Sequence, residues 1–472
     1  MSLSRRVASI HGITMNRKMR PPGRAWTPLF AALLLVAGRS PSEAQIRYPG
    51  YIPSFPAPAP AIGVGPGGGP GVWLGGDGGF LCALDSEDSF WTFCDFAVGP
   101  IGSKTRLDAT SHKKRLDLGN SVAIATCRDG IFSVQHYFRG TALAPEPFFA
   151  DPNNPAHDPV GSRLWPRKAL LHNGRLYIFA HQVRGGGGVY NTFIIRVNNP
   201  HRPPGDWLYD YLRVGNFAPP VVGVASTPSP VYFGSEALLD EPHNRLYAFG
   251  IKADYNPADG GFSNTFEVTA LRIPLDAIED APAGTDLAPV SESMTSRFGT
   301  WKPGLIDPND YYKVGIPAFN SFSVRGNASL GVWQAVFSRD QAKGKYLAGR
   351  LPASDPTVSG VYAMAGKSAF GPWGQPVRIA EIPEMDPGRV RLTDRGYDPD
   401  SYAYFVGEKE AFEFWDGQIV FTYSVGSYQF GHGRNFTHIN SDMKQYTIYP
   451  WAAPNPFFHR GPGTSSGVKQ AR

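Results

Sequence analysis

Lys168-Ala-Leu-Leu-His172-Asn-Gly174-Arg175-Leu-Tyr-Ile-Phe-Ala180 is the stretch whose reading decides the fold. Asn-Gly between two apolar runs signals a two-residue hairpin, because both central residues of a type I′ turn need positive φ. The same phrase returns twice. Ala237-Leu-Leu-Asp240 leads through Glu241-Pro-His-Asn244 into Arg245-Leu-Tyr-Ala-Phe-Gly250, and Glu413-Phe-Trp415 leads through Asp416-Gly417 into Gln418-Ile-Val-Phe-Thr-Tyr423. An element, a turn and then Arg/Gln-Leu/Ile-Tyr/Val-x-Phe mark the inner hairpins of repeated antiparallel sheets.

Outward from these hairpins, further strand pairs recur. Gly79-Phe-Leu-Cys-Ala-Leu84 and Phe90-Trp-Thr-Phe-Cys-Asp95 flank a short acidic turn, and Ser121–Thr126 and Ile131–His136 flank Arg128-Asp-Gly130. Later segments include Ser329–Phe337, Gly360–Met364, Val377–Glu381 and Gln445–Tyr449. Composition agrees: 54 Gly and 44 Pro supply turns, 13% aromatics fill half-buried faces, and only 18% of residues are charged. Dividing the roughly 390 residues between the loose ends by roughly 70–80 per blade gives about five repeats. The expected fold is therefore all-β, a single five-bladed β-propeller of four-stranded antiparallel blades. A β-sandwich pair or a right-handed β-helix is the alternative architecture.

The ends read differently. Arg5, Arg6, Arg17, Lys18, Arg20 and Arg24 precede the apolar run Pro28–Gly38, and Ser42-Glu-Ala44 offers small residues at a cleavage site. Residues 1–44 are expected to be a signal peptide. Residues 45–70 are expected to be a Pro/Gly-rich linker, 71–455 the propeller, and 456–472 a loose tail. The net charge of +5 owes its sign to the basic leader, which leaves no basic face for nucleic acid. The apolar run is too short to span a bilayer. The expectation is a secreted or periplasmic monomer with no membrane span.

Cys82, Cys94 and Cys127 are an odd count. With Asp85–Asp88 as the turn, Leu84 is expected opposite Ser89 and Cys82 opposite Trp91, so Cys82 and Cys94 do not pair. Free thiols are expected.

The densest constellation is Trp73-Leu-Gly-Gly-Asp77-Gly-Gly-Phe-Leu-Cys-Ala-Leu-Asp85-Ser-Glu-Asp88-Ser-Phe-Trp-Thr-Phe-Cys-Asp95-Phe96. Asp85 and Asp88 read as turn caps. Asp77 sits among four glycines, where backbone approaches a ligand closely. Asp95 ends an aromatic strand, and apolar surroundings suit a general acid. Two acids at one end of one blade can flank a glycosidic bond. Substrate-binding candidates are Trp73, Asn120, Glu236, His432 and Arg434, each with a bland reading as core, strand end or solvated loop. The histidines show no metal-ligand spacing, so neither a metal nor a cofactor is expected.

Gly75-Gly-Asp77-Gly followed by Phe90-Trp-Thr-Phe-Cys-Asp95-Phe resembles the opening of the DUF4185 family, which reads Gly-Thr-Asp-Leu-Gly and then Leu-Trp-Leu-Phe-Gly-Asp-Thr. Leu118-Gly-Asn120-Ser-Val-Ala-Ile124, Phe370-Gly-Pro-Trp-Gly-Gln-Pro376 and Asp416–Ser424 are similar to later segments of that family. The resemblance implies a five-bladed propeller and, from members that are endo-D-arabinanases, a secreted glycoside hydrolase cleaving arabinan-like, furanose-containing polysaccharide. It puts the base on Asp77 and the acid on Asp95, with inversion. Cys94 and Phe96 stand where the family has Gly and Thr. The alternative function is a non-catalytic propeller that binds glycan or another cell-surface partner.

Overall fold

The structure, a computed structural model, describes residues 59–458 apart from 105–107, 111–118, 129–130, 155–160, 185–187, 216–230, 253–254, 257–260, 263–266, 298, 308, 319–320, 340–359, 383–400, 410–416 and 428–446. The expected signal peptide, most of the expected linker and tail, and His432 and Arg434 lie outside the described residues.

Five main sheets follow one another along the chain. The first holds β1 (Ala59–Val64), β2 (Pro70–Ala83), β3 (Asp88–Gly99), β4 (Ser121–Arg128), β5 (Ile131–Thr141) and β6 (Ala144–Glu146). The second holds β7 (Arg163–His172), β8 (Arg175–Arg184), β9 (Gly188–Val197) and β10 (Tyr209–Arg213). The third begins with β11 (Val231–Asp240) and β12 (Arg245–Lys252). A small hairpin of β13 (Tyr255–Asn256) and β14 (Gly261–Phe262) intervenes. The third sheet then resumes with β15 (Glu267–Pro274), followed by the short helix α1 (Leu275–Glu279), and ends with β16 (Glu292–Met294) and β17 (Trp301–Pro303). The fourth holds β18 (Phe322–Asn327), β19 (Val332–Arg339), β20 (Gly360–Gly366) and β21 (Val377–Ala380). The fifth holds β22 (Ser401–Glu408), β23 (Gln418–Ser427) and β24 (Thr447–Pro454).

The leading long strands meet in a closed circuit: β2 touches β7, β7 touches β11, β11 touches β18, β18 touches β22, and β22 returns to β2. This is the arrangement of a propeller. It differs from five equal four-stranded blades in two respects: four sheets are open while the first closes on itself, and among the described residues the five sheets hold six, four, five, four and three strands. In the first sheet β1 pairs antiparallel with β2 and parallel with β5, giving a barrel-like unit. β1 lies in the stretch expected to be a linker. Its Ala-Pro-Ala-Ile-Gly-Val alternates buried and exposed residues, so small side chains suffice to give it an inward face.

The strands that close the three recurring phrases fall where the sequence puts them, while residues 413–416 of the third phrase lie outside the described residues. Arg175, Arg245 and Gln418 open β8, β12 and β23, each the second strand of its sheet, and Asn173 takes the positive φ of 48° that its turn needs. Their apolar runs are continuous because each sheet is covered on both faces, and the two-residue period sorts the contacts. In β8, Leu176, Ile178 and Ala180 pack with the first sheet, whereas Tyr177 and Phe179 pack with the third. In β23, Ile419, Phe421 and Tyr423 face the fourth sheet and Val420 the first. Every neighbouring pair of sheets thus shares an apolar cluster, and the ring closes between fifth and first.

The hairpin from β2 to β3 is shifted by one residue from expectation. Cys82 lies opposite Phe90 and Leu81 opposite Trp91, because Leu84 joins the turn by donating its N–H to the Asp88 carbonyl at 2.9 Å. Asp85 caps that turn, accepting from the Glu87 and Asp88 N–H groups at 2.8 and 2.7 Å. All three cysteines are free thiols; Cys82 and Cys94 are buried and Cys127 is half-buried. Among the described residues, no helix is long and apolar enough to cross a membrane.

Gly234 shows how closely the sheets approach. Its φ is +87°, and a Cβ there would lie 2.3 Å from the Phe179 side chain of the second sheet. Gly234→Ala is expected to lower the free energy of chemical unfolding by about 3 kcal/mol, combining overpacking with left-handed strain. A change below about 1 kcal/mol would show that this sheet contact is not tight.

Candidate functional site

The leading strands run toward one another, and a regular ladder gives polar side chains no reason to converge there. Bulges supply one. The register shifts around Asp77 in β2, between Pro166 and Ala169 in β7, between Phe233 and Glu236 in β11, and between Tyr404 and Gly407 in β22. A bulge leaves extra residues outside the ladder and re-aims their side chains. Arg167, Lys168, Ser235, Phe405 and Val406 are such residues. Phe405 has φ 54°, a costly conformation for a bulky aromatic that only surrounding structure can hold.

Across the β2–β3 ladder, Gly76 lies opposite Phe96 and Gly78 opposite Phe93, so Asp77 confronts Cys94 and Asp95. The two sequence-predicted acids are therefore neighbours in one irregular stretch. Both are buried, 5% and 7% exposed. Asp95 Oδ1 accepts the Trp165 indole N–H at 3.1 Å and lies 3.6 Å from Arg163 Nε, both partners coming from β7. The Asp77 segment is anchored from the other side, where Gly78 N–H donates to Ser424 Oγ of β23 at 3.1 Å. The Cys94 thiol donates to the Pro166 carbonyl at 3.3 Å. Burial pushes that thiol well above its usual range; Arg167 and Arg163 oppose the shift, and the charges of Asp77 and Asp95 add to it. Two carboxylates and two guanidiniums thus act on one buried sulfur.

A second charged cluster joins three sheets. Lys168 Nζ of β7 lies 3.0 Å from Glu236 Oε1 of β11, which also accepts the Ala237 N–H at 2.8 Å. Burial raises the Glu236 carboxyl and Lys168 opposes it. Lys409, just past β22, is buried and donates to the Gly407 carbonyl at 3.0 Å. Burial first, and then repulsion from Lys168, bring its pKa down to about 7, against the attraction of Glu236 and Glu408. Glu408 in turn pairs with Arg325 of β18 at 2.9 Å.

Two other sequence candidates have structural placements. Trp73 is 2% exposed and stacks on His136 at 4.0 Å inside the first sheet, a core position and not a sugar platform. Asn120 is fully buried: its Oδ1 accepts from Phe149 N–H, and its Nδ2 donates to the carbonyls of Phe149 and Leu164. It clasps backbone in place of sugar. Arg163, Trp165, Arg167, Lys168 and Lys409 were missed by the sequence reading. The available signal was Arg163-Leu-Trp-Pro-Arg-Lys168, a cationic run opening a hairpin that is otherwise apolar. Among the described residues, no group of three or more His, Cys, Asp or Glu side chains is placed to hold a metal ion.

No protein-family model matches the sequence, and no curated protein matches it. Solved structures do. The chain is similar to a candidate hydrolase from Bacteroides ovatus, at 14% identity and a TM-score of 0.50, over 82% of this chain and 86% of that one. It is also similar to the GH43_1 enzyme from Xanthomonas citri solved with xylose, at 12% identity and a TM-score of 0.41, over 84% and 91%. An α-L-arabinanase from Cellvibrio cellulosa matches at 12% identity and a TM-score of 0.39, over 81% and 96%. At the level of the Bacteroides structure the likeness is one of fold, and it accords with the ring of sheets.

Lys409 offers a direct test of the charged cluster. Its folded pKa of about 7 lies below the ordinary 10.5, so the unfolded chain holds the proton more tightly. Protonated Lys409 therefore costs stability, and that cost fades as pH rises through the window from about 7 to 10. Across it, wild type is expected to gain on the order of 2–4 kcal/mol relative to Lys409→Met, with the difference flat below about pH 6. Parallel stability curves from pH-dependent denaturation would place Lys409 in water.

Proposed function

We propose that the protein is a glycoside hydrolase acting on arabinan-like, furanose-containing polysaccharide, with Asp77 and Asp95 as its acid–base pair. The observation that carries this reading is the confrontation of Asp77 with Asp95 across the β2–β3 bulge, each buried and each segment anchored from a different sheet. Paired carboxylates are what glycosidic cleavage requires, one to protonate the leaving oxygen and one to activate water or attack. In this reading Asp77 activates water, Asp95 protonates the leaving group, and the anomeric centre inverts. Arg163 beside Asp95 and Lys168 beside Glu236 shape the surrounding field.

The DUF4185 resemblance supports the same assignment, since its opening motifs coincide with the two strands that carry the pair. The closed first sheet then counts as a blade with an added strand, making five blades. The basic and apolar leader supports export to the periplasm or medium, and the polysaccharide is the partner. The second reading, a non-catalytic propeller that binds glycan or another surface partner, is favoured by one observation: Arg163 stands beside Asp95 as in a purely structural ion pair.

The deciding experiment is product release from arabinogalactan, lipoarabinomannan and plant arabinans by the protein and its Asp77→Asn and Asp95→Asn variants. Each substitution is expected to lower the rate about 100-fold or more in a folded protein. An aryl arabinofuranoside with a good leaving group is expected to restore Asp95→Asn but not Asp77→Asn, because only the acid becomes dispensable. The reverse pattern would exchange the two roles. Release that survives both substitutions would move the chemistry elsewhere, and no release from any substrate would favour the binding protein.

A further inference from the structure

Arg167 is not used by the reading above, and its surroundings are unusual for a buried cation. It sits in the β7 bulge, 3% exposed. Its Nε donates to His181 Nδ1 at 3.0 Å, and His181 Nε2 donates onward to the Phe233 carbonyl at 2.8 Å. The guanidinium carbon lies 4.3 Å from the centroid of the Phe405 ring, 5.5 Å from that of Phe80 and 5.9 Å from that of Trp165. Its Nη1 is buried and has no hydrogen-bond partner among the described residues.

Among the described residues, nothing that touches this guanidinium brings a negative charge. Burial, then Arg167 itself, hold His181 well below the usual imidazole range, so the ring is neutral. Burial keeps Tyr232 and Cys94 protonated. Asp95 is engaged by Arg163 and Trp165, and among the described residues no carboxylate stands within ion-pairing distance of Arg167. An arginine cannot shed its proton, has donors only, and is costly to bury without an acceptor. Aromatic faces offset part of that cost. They leave Nη1 unanswered. The strained Phe405 backbone that brings one of these rings into place marks the arrangement as built, since left-handed φ at phenylalanine is otherwise avoided.

We propose that Arg167 Nη1 forms one wall of a small-anion subsite inside the ring of strands, taking a monoanion of the chloride or formate class or the carboxylate of a sugar acid. A monoanion fits better than phosphate, because Nε is already committed to His181 and three aromatic rings crowd the rest. The sugar-acid arm rests on the glycan-binding reading; the free-anion arm does not.

The test reads thermal unfolding of the full chain and of Arg167→Gln in sodium chloride, sodium formate or sodium galacturonate, with galactose as the neutral control. Ionic strength is held constant. Wild type is expected to gain about 2 °C or more from chloride and formate, and Arg167→Gln none, since only a ligand of the folded state raises its midpoint. A larger gain from galacturonate than from formate, with galactose silent, would assign the carboxylate to a glycan. Equal gains in both proteins, or none in wild type, would overturn the subsite. Should Arg167→Gln fail to fold, bromide-soaked wild-type crystals decide: anomalous density at hydrogen-bond distance from Nη1 supports the proposal and its absence overturns it. No cleavage is measured, so failure of the hydrolase reading leaves this result readable.

Discussion

Each sheet of this protein is covered on both faces by its neighbours, and that constraint governs the rest. A sheet with two dry faces must be apolar in both phases of its alternation, as in Leu176-Tyr-Ile-Phe-Ala180, whose side chains divide between the first and third sheets. Polar groups are thereby driven to the turns at the rim or to irregular backbone near the middle of the ring. The bulges of β2, β7, β11 and β22 are that irregular backbone, and Asp77, Arg167 and Glu236 are buried at three of them.

Those charges pair between sheets: Asp95 with Arg163, Glu236 with Lys168, Glu408 with Arg325. Buried ion pairs contribute little net stability, because desolvation offsets most of the attraction. Their effect is on arrangement. An apolar face can slide against another at small cost, but a sheet displaced by one residue here would strand a carboxylate without its cation, a loss of several kcal/mol. Dispersion and burial hold the ring together, and the charges fix its register.

The sequence was legible where structure is local. The Asn173-Gly174 turn, the strands opening at Arg175, Arg245 and Gln418, and the Asp85 cap all follow from residues within a few positions of one another. Legibility failed where contacts are distant. β1 looked like a linker because Pro and Gly dominate its flanks, and pairing with β2 on one side and with β5, far along the chain, on the other makes it a strand. The closeness of the Asp77 and Asp95 stretches follows from the β2–β3 hairpin, which the sequence shows. Trp165 and Arg163, which hold Asp95, come from another sheet, and the cationic run that contains them does not show which carboxylate they meet. Trp73 and Asn120 take the structural alternative that the sequence also offered, one packed in a core and the other clasping backbone.

The hydrogen bond from Gly78 to Ser424 spans 346 residues of chain. It also sets an order of events. Contacts this far apart in sequence form late, since the entropy of closing the intervening loop must be met before any of them stabilises the fold. The stretch carrying Asp77 is made early in synthesis yet receives its last support only when the fifth sheet docks. A chain caught before that point has sheets, but its Asp77 stretch lacks the bond to Ser424. Chemistry at this position, whatever its substrate, would report on the completeness of the ring.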